Sequence, residues 1–375
     1  MIKKYADLLL AALFAVFTGL FVPLSPSLLW GSIHWNLLGI LFCLMVITAE
    51  IGKWGIPRAL CLRFFSGKGT VRQMARFFIF ACFFSSMVIT NDIALIIFVP
   101  FSIATFLEIR ERAPLIPLIT LETIAANMGS MLTPIGNPQN LFIYDYYHLP
   151  LFTFLSITGP VVLISGFLIY MAGRLFPKRT VSSLPPMERP LPKKKSLLLL
   201  FLLLLSILHV LRLLPLSLVL AVVVPVMVIL DRHVFLRVDY KLLLLFALLF
   251  MAVGNLGRMD MVSTWARDVL AGREFWISLL LSQFISNVPA TVMLSPYTEN
   301  AAPLLLGVDI GGLGTLIASM ASLISFKAYT NIPSAGKKEY LAAFSLYNLT
   351  LLSVLILWYV MVYCARGFRE ALINS

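Results

Sequence analysis

The chain has 375 residues, 60% of them hydrophobic and 12% charged, about half the charged share of a water-soluble domain. That composition excludes a soluble enzyme and makes lipid the main solvent. The net charge of +12 is spread over short segments between apolar runs, as membrane topology requires, so no nucleic-acid partner is expected.

In chain order, Met1 to Lys4 lead into an apolar run, read as a retained first helix because no small-residue cleavage site follows. Runs long enough for a ~30 Å hydrocarbon core fall near 8–24, 35–52, 74–108, 115–144 and 152–174. A second series follows at 197–214, 215–231, 241–257, 274–298, 303–333 and 339–365. Between the series, Pro185, Pro186, Pro190 and Pro192 sit among basic residues and cannot continue a helix. Cys43, Cys61, Cys82 and Cys364 are scattered without metal-ligand spacing and read as small apolar fillers.

The halves resemble each other. Ser86, Ile89, Thr90, Asn91, Ala94 and Pro100 align without gaps on Ser282, Ile285, Ser286, Asn287, Ala290 and Pro296, an offset of 196. Ala125 to Asn140 align with Ile317 to Ile332 at an offset of 192, which sets Lys327 against Ile135. Repeats in a hydrophobic chain of this size commonly have inverted topology, with the substrate held where they meet. Charge tests inversion: if 74–108 and 274–298 return to the side they enter, about nine full crossings remain. With the N-terminus inside, Lys3, Lys4, the stretch from Lys53 to Arg76, Arg110, Arg112, the loop from Arg174 to Lys195, Arg232, Arg237, Lys241, Lys337 and Lys338 then share the inner face. Arg212, Arg258, Arg267, Arg273, Arg366 and Arg369 take the other.

The expected fold is therefore an all-α polytopic membrane protein of two inverted repeats, each with a re-entrant hairpin and a broken transmembrane helix. The first repeat spans 1–176, a basic cytoplasmic loop 177–196, a linking helix 197–214 and the second repeat 215–375. The expected location is a bacterial or archaeal cytoplasmic membrane, with the N-terminus in the cytoplasm.

A chain that turns inside a membrane must unwind, and its freed backbone groups are tolerated only against protein or an aqueous cavity. Thr90, Asn91 and Asp92 mark the first hairpin tip, Ser286 and Asn287 the second. Gly136, Asn137 and Pro138 interrupt the first broken helix; Ser322 and Ser325 suggest that its mate unwinds too. Helix N-termini there favour anions, while carbonyl and amide oxygens suit Na⁺ near Asn91 and Asn287. Ionisable groups at depth are functional candidates: Asp92 and Glu122 for proton coupling, Lys327 to hold an anion, replace a cation or neutralise an acid. Glu50 is expected at a membrane edge. No cofactor is expected beyond H⁺ or Na⁺ as coupling ion. The sequence lacks HExxH, GxSxG and Walker A patterns, which argues against an intramembrane enzyme or an internal ATPase.

The segments VITNDIALIIFVP, TPIGNPQNL and FISNVPATVML, in that order, resemble the ion-transporter superfamily of arsenite permeases, sodium/proton antiporters, citrate transporters and divalent-anion:sodium symporters. They are most similar to its citrate-transporter-like branch of bacterial inner-membrane proteins. The resemblance implies a transport domain moving past a scaffold like an elevator, often in a homodimer, with Thr90, Asn91, Ser286, Asn287, Gly136, Asn137 and Pro138 at the substrate. Asp92 and Val288 stand where dicarboxylate symporters carry threonine, a departure closer to the arsenite permeases. The expected function is secondary transport of a small anion, coupled to H⁺ or Na⁺. The alternatives are arsenite or oxyanion efflux, cation/proton antiport, and a passive ion channel.

Overall fold

The computed structural model describes residues 6–22, 26–54, 69–109, 111, 114–181, 193–333 and 335–373. Cys61, the four prolines 185–192 and the basic residues Lys3, Lys4, Arg58, Arg63, Lys68, Arg110, Arg112 and Arg189 lie outside them, as do the side chains of Cys364, Arg366 and Arg369.

The chain is helical almost throughout, as an all-α polytopic membrane protein requires. Among the described residues, five helices are long and apolar enough to cross a membrane: Trp35–Lys53, Asn91–Glu108, Leu151–Ala172, Leu216–Arg237 and Lys337–Val362. Shorter apolar helices fill in between them. In chain order the first half gives α1 (Ala6–Gly19), α2 (Pro26–Ser32), α3 (Trp35–Lys53), α4 (Val71–Ser85), α5 (Asn91–Glu108), α6 (Leu115–Ser130), α7 (Pro138–Tyr146) and α8 (Leu151–Ala172). The second gives α9 (Lys193–Val210), α10 (Leu216–Asp231), α11 (Tyr240–Leu256), α12 (Asp260–Leu270), α13 (Glu274–Ile285), α14 (Asn287–Leu294), α15 (Ala301–Ile310), α16 (Met320–Thr330) and α17 (Lys337–Ile373).

Local chemistry explains the boundaries. At the start of α4, the Thr70 hydroxyl accepts from Gln73 N (3.2 Å) and the Gln73 carboxamide accepts from Thr70 N (2.9 Å), a reciprocal cap. Asp239 caps α11 by accepting from Lys241 N and Leu242 N. Pro138 opens α7, where its missing N–H has no helical partner to lose. The expected basic loop is shorter than its sequence suggests. Lys193 to Lys195 already belong to α9, and at the loop's other end Thr180 and Val181 pair with Thr70 and Gly69 in a two-residue antiparallel bridge.

Short turns join α4 to α5 and α13 to α14, and irregular stretches separate α6 from α7 and α15 from α16. The hairpins pack on the helix before each break in matching fashion, α4 on α6 and α13 on α15. The halves also interleave, since α16 packs on α5 and α6 while α7 packs on α14 and α15. Two apolar clusters result, one gathering Phe78, Phe98, Leu118, Ile310, Tyr340 and Leu355, the other Leu41, Phe142, Leu203, Phe246, Val292 and Leu304. Cys43 and Cys82 are buried within them, in keeping with their reading as fillers. A bend of 104° separates α11 from α12, whose exposed Met261 and Trp265 beside Asp260, Arg267 and Asp268 suit the membrane–water boundary.

Glu50 is buried near the C-terminal end of α3: its carboxylate accepts from Trp54 Nε1 at 2.5 Å and lies 3.9 Å from Lys53 Nζ. Lys53 also pairs with Asp231, linking α3 to α10. Because Lys53 is partly exposed, we expect Asp231→Asn to lower stability only slightly, read as a small shift of thermal unfolding in detergent. A larger loss would mean that the link anchors α10.

Candidate functional site

The first hairpin tip starts α5 at Asn91, the second starts α14 at Asn287, and the breaks start α7 at Pro138 and α16 at Met320. These four helix N-termini converge. Asn91, Asp92, Pro138, Gln139, Asn287, Val288, Ser319 and Met320, with Leu242, line one small void of about 10 Å³, roughly the room for one water.

The backbone holds the tips in matching ways. Asn91 N donates to Gly136 O and Asn287 N to Ala318 O, each at 3.0 Å. Gly136 thus corresponds to Ala318, an offset of 182, and the N-cap Asn137 corresponds to the N-cap Ser319. This corrects the offset of 192. The AANM/IASM similarity favours 192, whereas the backbone bonds match TPIGN with TLIAS, so Lys327 is not the mate of Ile135.

At the centre lies a buried polar cluster. The Asn91 Nδ2 donates to Asn127 Oδ1 (3.0 Å), and Ser319 Oγ donates to the same oxygen (3.1 Å). Asn137 Nδ2 donates to Ser130 Oγ (3.2 Å) and Asp309 Oδ1 (3.4 Å), and Gln139 Nε2 donates to Asp309 Oδ1 (3.2 Å). Asn127 and Asp309 are also 182 apart, so the cap of each break reaches across to the other half. Gly129 and Gly136 permit this closeness. A Cβ on Gly129 would sit 2.1 Å from Phe83 O, and one on Gly136 2.2 Å from Ser130 O.

Ser286 has φ +75°, a left-handed conformation costly for a non-glycine residue. Its N–H to Ser282 O (3.1 Å) and its hydroxyl to Ala318 O (3.4 Å) hold it there. Thr90, at the equivalent place, is relaxed at φ −56°.

Beside the void opens a cavity of about 1830 Å³, with Asp92, Pro138, Leu242 and Met320 common to both. Thr90, Ser286 and Lys327 line it, as do Lys53, Glu108, Arg237, Asp239 and Lys241. The structure therefore gathers Thr90, Asn91, Asp92, Gly136, Asn137, Pro138, Ser286 and Asn287 in one place. Lys327 is exposed to the cavity and, among the described residues, forms no ion pair with Asp92 or Glu122. Ser322 and Ser325 are fully buried and line neither space. Glu122 is likewise buried away from both, its Oε2 accepting from Ser102 Oγ at 2.9 Å.

Sequence reading passed over Asn127, Gln139 and Asp309 as site residues. For Asp309 a signal existed: it is an acid set in the apolar stretch PLLLGVDIGG.

A known family, described as Citrate transporter, matches the chain over residues 1–325. The chain belongs to the citrate transporter family. An uncharacterized transporter of Methanocaldococcus jannaschii is 31% identical over 313 residues, covering 81% of this chain and 84% of that protein. Inner membrane protein YbiR of Escherichia coli is 32% identical over 314 residues, covering 82% and 83%. The silicon efflux transporter LSI3 of Oryza sativa subsp. japonica is 32% identical over 134 residues, 36% of this chain and 27% of that one. The family and the relatives from Methanocaldococcus jannaschii and Oryza sativa are described as transporters, and family membership makes membrane transport the activity of this chain.

Proposed function

We propose that this protein is a secondary active transporter of a small anion, driven by a gradient of H⁺ or Na⁺, with its substrate held at the junction of the four helix N-termini. That convergence is the observation that carries the reading. Each N-terminus presents roughly half a positive charge and unsatisfied N–H groups. The amides of Asn91, Gln139 and Asn287 add donors of the kind an anion accepts. Thr90 and Ser286, on the cavity side of the tips, extend this set, and Lys327 on the cavity wall favours entry of negative charge.

The matched contacts at offsets of 196 and 182 support two inverted repeats, with the hairpins and broken helices as the moving elements of an elevator. On the charge assignment, Lys53, Arg237 and Lys241 are cytoplasmic, so the cavity they line is the cytoplasmic access route. The void is smaller than any candidate anion, so binding must part the tips from the breaks.

A second reading, efflux of an oxyanion such as arsenite, draws on Asp92 and Val288 at the tips and on the partial similarity to a silicon efflux transporter. Flux into proteoliposomes tests both, with citrate, succinate, sulfate, phosphate and arsenite offered under imposed Na⁺ or pH gradients. Saturable, gradient-driven movement of one of them is the expected result. Gradient-independent, non-saturating flux would overturn the reading in favour of a channel.

A further inference from the structure

Asp309 is 2% exposed, near the C-terminal end of α15. Its Oδ1 accepts from the amides of Asn137 and Gln139, and among the described residues its Oδ2 has no hydrogen-bond partner. In its counterpart Asn127, Oδ1 accepts from Asn91 and Ser319, and Nδ2 has no partner among the described residues. The two side chains have the same shape, and each Oδ1 accepts from the N-cap of the opposite break and from one further side chain, the tip residue Asn91 for Asn127 and Gln139 for Asp309. One is an amide and the other an acid.

We propose that Asp309 is the proton carrier of this transporter, neutral when the anion is bound and ionised when the site is empty. A protonated aspartic acid reproduces Asn127, with an O–H on Oδ2 in place of the N–H on Nδ2. The neutral form therefore fits a site that the other half fills with a neutral group. The ionised form places an unpaired negative charge at membrane depth, which is unfavourable. The side chains facing Asp309 from α7 are the amides of Asn137, Gln139 and Asn140. Of the titratable groups on the packed helices, Glu122 on α6 bonds to Ser102 and Glu274 on α13 to Thr298 and Asn300. Asp145, Tyr144 and Tyr146 on α7 and Tyr170 on α8 make no hydrogen bond to it, and α14 carries no titratable side chain. No lysine or arginine among the described residues pairs with it.

A metal cation is a poor occupant, because the polar contacts made to this carboxylate come from N–H donors, whereas a hard cation needs a shell of oxygens. A proton needs none. Gln139 joins Asp309 to the anion site, since it lines the void and donates to the carboxylate. An ionised Asp309 repels an arriving anion and a neutral one does not, so proton and anion cross in the same direction. By reciprocity, anion binding must strengthen proton binding.

This inference rests on the anion-transport reading, but its test does not need a known substrate. Infrared difference spectra of the reconstituted protein between alkaline and acidic buffer should contain the carbonyl band of a protonated, buried carboxylic acid. Asp309→Asn should remove that band, whereas Asp92→Asn and Glu122→Gln should leave it. Asp309→Glu should shift it, and serves if the asparagine variant does not assemble. A band unchanged in Asp309→Asn and unshifted in Asp309→Glu would overturn the proposal. In flux, Asp309→Asn should lose all acceleration by a pH gradient for whichever test anion the wild type carries, and retained acceleration would equally overturn it. A wild type that carries none of the five anions would overturn the transport reading, leaving the spectra to decide Asp309.

Discussion

Asn287→Ala is expected to insert and purify like the wild type but to bind the transported anion ten- to a hundredfold more weakly. The Asn287 amide lines the void, 5% exposed, and among the described residues its side chain is engaged by no protein hydrogen bond, so its donors are available to a ligand. A hydrogen bond to a charged group contributes about 1.5–3 kcal/mol, and about 1.4 kcal/mol is a factor of ten in affinity. Asn91→Ala should lose as much in binding and also some stability, because its amide additionally bonds Asn127 and accepts from Asp92 N at 2.9 Å. The measurement is concentration dependence of proteoliposome flux, paired with thermal unfolding. Unchanged transport in both variants would remove the hairpin tips from the site.

Gly129→Ala should be more damaging to the fold than any change of a side chain in the void. A single methyl there meets Phe83 O at 2.1 Å and Ser86 Oγ at 2.7 Å, so backbone as well as a flexible side chain must move. Overpacking of this kind costs about 1–3 kcal/mol and occasionally more, and separating α4 from α6 would also open the hairpin. The expected result is a large drop in folded yield and in unfolding temperature. Gly159→Ala, where a methyl meets nothing within 4 Å, is the control that should behave as wild type. Equal behaviour of the two variants would mean that the close contact of α4 with α6 contributes little.

Much of this fold was legible because lipid imposes simple demands. Apolar runs announced the helices, and prolines with glycines announced the break at Thr133 to Asn140. The paired Thr90-Asn91 and Ser286-Asn287 announced the tips. The second break was harder, because Gly311 to Ser319 carries no proline and its flanking sequence offered a misleading match ten residues further on. Its register became visible only through backbone bonds from Asn91 and Asn287, which do not depend on side-chain identity. Site membership failed where it depends on which face of a helix a residue occupies. Ser322 and Ser325 share α16 with Met320 and Lys327, yet only the latter two face the cavity. Glu122 and Asn127 share α6, and only Asn127 reaches the centre.

On the two-repeat reading, the crossing bonds from Ser319 to Asn127 and from Asn137 to Asp309 bear on ancestry. A single-repeat ancestor would have needed two copies to close this centre, and identical copies carry either two acids or two amides there. One acid and one amide at this centre become possible once the copies diverge, and fusion into one chain would keep the two unlike halves together. On that reading one half keeps a neutral side chain where the other carries an acid.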